Sequence, residues 1–431
     1  MSWWQQENVW QLILIGAILL LLLVFAFLRI RYPFWSFQPV FHPYDAWRYL
    51  SWCPHVIQNG PAANATKYIA TYPDQRLSFQ RTLPRNSFRV TTTPYLDVTP
   101  AEQEQIVDFL QTQYVTSEQI VFPFLLSDLQ TLCTGYGAAP SLVSCLSRQK
   151  LPQLQDDLAQ SMDACLVAYP VRLCARERWN DDVVHVFTLY FWDIIAAHKY
   201  AANETILRTL LQTHEANQRK LAPDVGASIF RKEKHLSDGI VPLTVYQISL
   251  FSLQNSVKQP PLPPTFTVVR ALSKEKIDAV SDFLYTVSHT FANIRVACFP
   301  EITAISQKIH AGSWFVYLLQ SKGVVFAMYV FQDSKMIYDD QHLLQLCCAM
   351  RQNLLSDNIF FAGFLHALYD TLSFSPQFGV LAMHTLGNTG TLVEKWKWKY
   401  SPFLEYPAAF YLYNFVVPGM PLAPEACMCM L

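Results

Sequence analysis

Two segments of the chain start in the same way and carry the same triplet at the same spacing. Thr99-Pro100, followed by Glu102, is typical of a capped helix start, and the helical pattern then reaches Asp108-Phe109-Leu110. Ser273 begins a second such pattern, which reaches Asp282-Phe283-Leu284. The repeat predicts two homologous α/β halves, with a chance likeness of two amphipathic helices as the alternative.

Each repeated helix is followed by two strand patterns. In the first half, Ala164 to Cys174 and Val183 to Ile195 are rich in β-branched and aromatic residues and flank a polar turn. In the second half, Trp314 to Gln320 and Val324 to Phe331 have the same character and flank a turn that contains Gly323. Both pairs predict antiparallel hairpins.

A helix is predicted after each hairpin. Asn203 suits the cap of the first, whose apolar face carries Leu210 and Leu211, and the apolar run from Leu343 to Leu355 predicts the second. Between the halves, Lys258 to Pro264 is a stiff proline-rich segment of the kind that joins two units.

The N-terminal segment Val9 to Leu28 is an uncharged apolar run of about twenty residues, the length that a helix needs to span a bilayer. It has no basic region before it and no small-x-small site after it, so a cleaved signal peptide is the weaker alternative. Arg29 and Arg31 follow the run, whereas the preceding flank has no Lys or Arg. The apolar run therefore predicts a single-pass anchor. The positive-inside rule predicts its orientation, with the N-terminus outside and the main domain in the cytoplasm.

Composition limits the class of protein. Hydrophobic residues make up 52% of the chain and charged residues 15%, which is typical of well-filled cores and excludes a disordered chain. The net charge of −1 provides no basic field for nucleic acid. The ten cysteines have no zinc-finger spacing, so no metal site is predicted, and a reducing compartment is expected around the main body.

These features divide the chain into four predicted parts. They are a transmembrane anchor at residues 1–30, an irregular, proline-punctuated arm at 31–95, a first half at 96–262 and a second half at 263–431.

The segment directly after the apolar run, Arg29 to Val40, reads RIRYPFWSFQPV. By itself it is explained equally well as a belt of interfacial aromatic residues, because Trp and Tyr favour the headgroup level of a bilayer. Its core also resembles the segment with which N-myristoyltransferases lay a tyrosine, a phenylalanine and a tryptophan along bound acyl-CoA. The resemblance assigns Tyr32, Phe34 and Trp35 to acyl-CoA binding.

Two further segments carry the same resemblance. Ile106 to Val115 is similar to the family's helix before the lid over the peptide groove, and Tyr411 to Met420 is similar to its closing strand. The order of helix, hairpin and helix is also that of GNAT acyltransferases, so the resemblance implies an α/β (α+β) fold of tandem GNAT-like halves behind a transmembrane helix. In the family the C-terminal carboxylate takes a proton from the acceptor amine. Leu431 holds that position here, with a frayed tail as the alternative.

The resemblance also implies donors for the thioester oxygen. Counting back from the helix near Asn203 gives the backbone N–H groups of Tyr190 and Phe191, whose side chains are predicted to be core. The turn that would hold the CoA pyrophosphate lacks glycine, and its cationic residues are His198 and Lys199. Phosphate binding is therefore predicted to rest on fewer groups than in the family.

Two other groups of residues have ordinary explanations beside functional ones. His214 and Asn217 lie on one face of a predicted helix, where a structural histidine is commoner than a general base. Lys395 to Lys399, KWKWK, resembles a stacking surface for nucleic acid, but a strand edge with snorkelling lysines is the preferred interpretation.

Two functions follow from these observations. The first is an acyl-CoA-dependent N-acyltransferase (EC 2.3.1) similar to glycylpeptide N-myristoyltransferase, with acyl-CoA, for example myristoyl-CoA, as co-substrate and a peptide or protein amine as acceptor. The second is a catalytically inactive scaffold in a viral or virion membrane, because membrane-tethered relatives look like those of large DNA viruses. The thinned phosphate turn favours the scaffold, and the aromatic segment favours the enzyme.

Overall fold

The structure is a computed structural model that describes residues 3–32, 34–59, 78–82, 87–114, 120–149, 162–180, 182–198, 204–253 and 259–431. In these ranges the helices are α1 (Trp3–Arg31), α2 (Ala46–Tyr49), α3 (Pro100–Gln113), α4 (Leu126–Cys133), α5 (Glu204–Leu221), α6 (Lys274–Thr290), α7 (Ile302–His310), α8 (Asp357–Phe374) and α9 (Thr389–Lys397). The strands are β1 (His55–Val56), β2 (Ser78–Thr82), β3 (Ser87–Pro94), β4 (Ile120–Val121), β5 (Leu142–Gln149), β6 (Met162–Arg176), β7 (Val184–Ala197), β8 (Ser228–Glu233), β9 (Thr244–Ser252), β10 (Phe266–Arg270), β11 (Val296–Pro300), β12 (Trp314–Ser321), β13 (Val324–Tyr338), β14 (Gln341–Arg351), β15 (Phe378–His384), β16 (Leu404–Tyr413), β17 (Phe415–Val416) and β18 (Cys427–Cys429).

Both repeated helices are confirmed. The Thr99 N–H donates to Glu102 Oε2 at 2.9 Å, and the Glu102 N–H donates to Thr99 Oγ1 at 3.4 Å, which completes a capping box at the start of α3. Ser273 lies directly before α6, as predicted. Asn203, the predicted cap of α5, lies outside the described residues.

Most strands join one large sheet. Its main path runs β10-β12-β13-β14-β15-β9-β16-β8-β7-β6-β5-β3-β2. The two predicted hairpins are confirmed, since β6 pairs with β7 and β12 with β13, both antiparallel. Strand β16, from the second predicted half, lies between β8 and β9 of the first. The two halves therefore share a continuous sheet.

Helices cover both faces of this sheet. In β6, Ala164 and Leu166 pack in the cluster that contains Leu210 of α5. Their neighbours Cys165 and Val167 pack on the other face, in the cluster that contains α3 and α4. Successive side chains of a strand point to opposite faces, so this near-continuous apolar run fills two cores at once. In the second half, α8 and α9 contribute to one cluster and α6 and α7 to another.

The helix predicted from Leu343 to Leu355 is wrong. Most of this run is strand β14, which lies between β13 and β15, and the following helix α8 begins only at Asp357. A strand buried on both faces has no alternation of polar and apolar residues, so its apolar run cannot be distinguished from a buried helix by periodicity. The helix after this hairpin exists, but it starts one element later.

The segment Lys395 to Lys399 is likewise no strand edge, because α9 runs through Lys397. Trp396 is 2% exposed and packs on Phe251 and Phe364, whereas Trp398 is 92% exposed. A helix separates residues two positions apart by more than half a turn, which explains the alternating burial.

Helix α1 contains the apolar stretch Trp10–Leu28, with a mean hydropathy of 3.0 and no part of it buried by the rest of the chain. It is the one helix among the described residues that is long and apolar enough to cross a membrane.

Candidate active site

The aromatic segment after α1 packs beside the parallel strands β7 and β8. The Trp35 ring stacks on Phe230 of β8, with centroids 6.0 Å apart and planes 4° from parallel. Phe230 in turn stacks on Trp192 of β7 at 5.8 Å. Phe34 is buried, and the Arg208 guanidinium of α5 lies 5.6 Å from its ring centroid. Phe34 and Trp35 are thus brought together where α5 follows β7.

Tyr32 lies at the start of this segment, at the end of α1. Its ring packs closely on the backbone of Gly239, which has φ +85°, and a Cβ added to that glycine would lie 2.8 Å from the ring. The Arg31 guanidinium lies 5.8 Å from the centroid of the same ring. Gly239 therefore supplies both the backbone conformation and the space that let Tyr32 dock.

The segment is also tied to the end of β16. The Tyr413 hydroxyl donates to Gln38 Oε1 at 2.6 Å, and the Asn414 N–H donates to the Pro39 carbonyl at 2.7 Å. Both Gln38 and Tyr413 are buried. Two of the three segments that carry the family resemblance are therefore in direct contact.

Strands β7 and β8 separate at this point. Within the described residues their parallel pairing covers three residue pairs and ends at Trp192 opposite Phe230. On the other side of β7, Ile194 pairs with Val167 and Trp192 with Ala168, so that Asp193 is the extra residue of a β-bulge. A bulge next to a splayed pair of strands directs backbone groups into the gap between them.

Tyr190 and Phe191 lie just before the bulge. Their side chains are 0% and 1% exposed, as expected of core residues. The Tyr190 N–H already donates to the Ala227 carbonyl at 3.1 Å. The Tyr190 N–H, which the sequence analysis assigned to a thioester oxygen, is therefore used in parallel strand pairing. The irregular backbone lies two to three residues after Tyr190 and Phe191, at Asp193.

Leu431 is 7% exposed and lines a pocket of about 110 Å³ on the side of the bulge. Its position follows from β18, which pairs with β11 in parallel, and from the Met430 N–H, which donates to the Cys298 carbonyl at 2.8 Å. Charged residues around Leu431 in the pocket come from both halves: Asp128, Asp193, Arg231, Lys308, Asp333 and Lys335. The pocket thus combines acidic and basic groups with apolar and aromatic side chains.

Asp193 and Lys308 face each other across Tyr169. The Tyr169 hydroxyl donates to Asp193 Oδ2 at 3.2 Å, and Lys308 Nζ lies 4.7 Å from the centroids of both Tyr169 and Trp314. Burial raises the pKa of the Asp193 carboxyl, although Arg231 and Lys308 oppose this shift. Burial likewise lowers the pKa of Lys308 to about 8, against the attraction of Asp193. Desolvation therefore shifts the pKa values of both groups towards neutral pH, where a side chain can readily exchange a proton.

The rim of the pocket holds paired charges. Lys335 Nζ lies 3.2 Å from Asp128 and 3.0 Å from Asp333, and Arg231 lies 3.1 Å from Glu233. Lys335 has φ +59°, an uncommon backbone conformation for a residue with a side chain, in the irregular part of β13. Two basic side chains thus face three carboxyl groups in these pairs.

The predicted pyrophosphate turn is described in part. The His198 N–H donates to the Asp163 carbonyl at 2.7 Å, whereas Lys199 lies outside the described residues. Arg208 is a further cation, beside Phe34, and it was not predicted because the sequence pattern of α5 marks its apolar face and not the partners of its polar residues. Asp193 and Lys308 were also missed. Asp193 did leave a signal, as the one acid within a long apolar strand.

His214 and Asn217 belong to a buried hydrogen-bond network instead of the pocket. His214 Nδ1 lies 2.8 Å from Ser144 Oγ, which lies 2.7 Å from Thr92 Oγ1, and Asn217 Nδ2 donates to that same hydroxyl at 3.0 Å. Burial lowers the pKa of His214 to about 3. Its ring is therefore neutral at physiological pH and fixes α5 to the sheet.

No family model matches the chain, and no curated protein matches it in sequence. Solved structures do share its fold. A crystal structure of Saccharomyces cerevisiae N-myristoyltransferase with bound myristoyl-CoA aligns over 91% of this chain and 94% of that one, with a TM-score of 0.59 and 14% identity. A second, also with bound myristoyl-CoA, covers 92% and 90%, with a TM-score of 0.60 and 13% identity. A third, with myristoyl-CoA and inhibitors, covers 91% of each chain at the same score and identity. The chain therefore has the N-myristoyltransferase-like fold of two GNAT-like halves that its sequence motifs predict.

Proposed function

We propose that this chain is a membrane-anchored, acyl-CoA-dependent N-acyltransferase whose acceptor is a peptide or protein amine. One observation carries the proposal: Trp35 stacks on Phe230, in the last β7–β8 pair before the two strands separate. The likeness to N-myristoyltransferase structures solved with bound myristoyl-CoA supports the same ligand class here.

In this proposal the aromatic segment binds acyl-CoA. Tyr32, Phe34 and Trp35 form one wall of the site. Arg208, whose guanidinium lies beside Phe34, attracts a phosphate group of the bound acyl-CoA. In the sequence His198 and Lys199 come shortly before α5, and the N–H groups at a helix start favour anions.

The thioester oxygen requires donors as it becomes an oxyanion. Because the Tyr190 N–H is engaged by Ala227, we assign this role to the backbone of the bulge, at Asp193 and Ile194. Phe191 has a structural role in this proposal, as a buried residue of β7 next to the bulge.

The acceptor amine enters the pocket that Leu431 lines. An ionised α-carboxylate at Leu431 attracts the ammonium group and accepts one proton from it, and Asp193 holds the amine from the side of the bulge. The neutral nitrogen then attacks the thioester carbon, so that a C–N bond forms and the C–S bond breaks. The nitrogen loses its second proton, and the departing CoA thiolate takes up that proton. The positive charge of Lys308 offsets the electrostatic repulsion between the carboxylates of Leu431 and Asp193.

The membrane helix keeps this site close to the bilayer, where acyl chains and acylated products partition. Arg29 and Arg31 at the end of α1 support an orientation with the N-terminus outside and the catalytic body in the cytoplasm. A single-pass anchor of this kind would hold an acylated product near the bilayer that it is to join.

The test is calorimetric binding of a non-hydrolysable myristoyl-CoA analogue to the full chain in detergent, followed by acyl transfer to a panel of N-terminal glycine peptides. Trp35→Ala is expected to weaken binding at least tenfold, whereas Trp398→Ala, which removes a solvent-exposed tryptophan, serves as the matched control. Absence of binding to the folded wild-type chain would overturn the proposal and favour the membrane-anchored scaffold. Binding without transfer to any amine would retain the site but refute the catalytic function.

A further inference from the structure

Cys53, Glu177 and His185 bring three potential metal ligands together at the end of the β6–β7 hairpin. The three come from the arm before β1, the residue after β6 and the start of β7, so their spacing along the chain gave no sign of a site. Their ligand atoms all lie within 4.8 Å of one another. Glu177 Oε1 is 3.4 Å from Cys53 Sγ and 2.9 Å from His185 Nε2.

We propose that this cluster is a Zn²⁺ site. Tetrahedral zinc with ordinary bond lengths holds neighbouring ligand atoms roughly 3.3–3.6 Å apart. These two distances lie near that range and the third pair of ligand atoms is within 4.8 Å, so the three side chains are close enough to share one ion. A thiolate, an imidazole and a carboxylate together suit zinc and disfavour Mg²⁺ and Ca²⁺, which take oxygen ligands.

Backbone contacts fix the segments that carry the ligands. The Arg178 N–H donates to the Trp52 carbonyl at 3.0 Å, next to Cys53, and the Arg295 guanidinium donates to the Glu177 carbonyl at 2.8 Å. On the other side of Cys53, β1 pairs with β17. The ligands are therefore positioned by the fold before any metal arrives, which lowers the entropic cost of binding.

Three protein ligands leave one tetrahedral position for water or another small ligand. Glu177 and His185 are half-buried and Cys53 is exposed, so the ion can enter from solvent. All ten cysteines are described, and the other nine are buried or half-buried. Cys53 is therefore the cysteine most accessible to an ion from solvent.

The bound ion would connect the arm, which also carries Trp35, to the hairpin that contains the bulge. Because the ligands come together only in the folded chain, zinc stabilises the docked arm by mass action. This role does not depend on acyl transfer.

The experiment measures zinc stoichiometry and affinity of the full chain in detergent, together with the absorption spectrum after Co²⁺ loading. Cys53→Ser and His185→Ala are compared with His310→Ala, which removes an exposed histidine on α7. Wild type and control are expected to bind one ion, to show thiolate-to-cobalt charge transfer and to unfold at higher temperature with zinc. Each ligand variant is expected to lose at least tenfold in affinity, and Cys53→Ser to lose the charge-transfer band. A wild-type chain that binds no zinc, or zinc binding that both variants retain, would overturn the proposal.

Discussion

The buried hydroxyl of Tyr413 donates a 2.6 Å hydrogen bond to Oε1 of the buried Gln38. Gln38 belongs to the aromatic segment after α1, and Tyr413 ends β16. The contact spans most of the chain, so the position of Trp35 depends on a strand that is synthesised more than three hundred residues later.

Replacing Tyr413 by Phe is expected to destabilise the chain by about 1–3 kcal/mol, because Gln38 Oε1 is left buried without its donor. Acyl-CoA affinity should fall as the aromatic segment loosens. Thermal unfolding and calorimetry measure the two effects. Tyr285→Phe is the control, since this hydroxyl belongs to a side chain that is 64% exposed. Equal stability of the two variants would contradict the structural role of the bond.

A short extension after Leu431 is expected to abolish acyl transfer while leaving acyl-CoA binding intact. The added residues move the carboxylate out of the pocket and replace it by a neutral amide, which accepts no proton at physiological pH. Leu431→Ala keeps the carboxylate and should retain most of the activity. Full transfer by the extended chain, measured with the same peptide, would exclude Leu431 as the proton acceptor.

Asp193→Asn is expected to lower turnover by about 100-fold, because the neutral amide no longer holds the acceptor ammonium group in position for attack. The substitution preserves shape and keeps an acceptor for the Tyr169 hydroxyl, so the affinity for acyl-CoA should be unchanged. Asp108→Asn, at an exposed site on α3, is the control. A variant that loses acyl-CoA binding and turnover together would show that Asp193 is structural.

The stability of the chain is expected to fall with acid partly because of His214. Its pKa is about 3 when folded and 6.5 ordinarily, so between these values the unfolded chain binds the extra proton. The stability that the neutral ring provides is complete above pH 6.5 and is lost as the pH falls towards 3, by up to about 1.4 kcal/mol per pH unit.

This loss is measured by chemical unfolding at a series of pH values. His214→Gln removes the titrating group but keeps a polar partner for Ser144, so its unfolding free energy should decline less steeply. The exposed His310→Gln should follow the wild-type slope. Parallel curves for all three proteins would show that His214 is not the sensitive group.

Local sequence patterns predicted much of the fold. The capping box of Thr99 and Glu102 formed as expected because its signal lies within four residues. The two hairpins followed from strands joined by short polar turns. The run from Leu343 failed because β14 is buried on both faces, and only its neighbours in the sheet decide between strand and helix.

The pocket was harder to predict because its charges meet through long-range pairing. Lys308 lies on a short amphipathic helix and has the sequence pattern of a surface lysine. It is nevertheless 3% exposed, because Tyr169 and Trp314 enclose its ammonium group from two different strands. The β-bulge at Asp193 was also not predicted, because it depends on how β6 and β7 pair and no local pattern encodes it.

The insertion of β16 between β8 and β9 has a consequence during synthesis. Both earlier strands leave the ribosome roughly 150 residues before β16, a delay of roughly 8–30 s at ordinary translation rates. Throughout that interval each presents an unpaired edge, which is a template for association with other chains. Nascent copies on one polysome therefore carry free strand edges at which neighbouring chains can pair until the missing strand arrives.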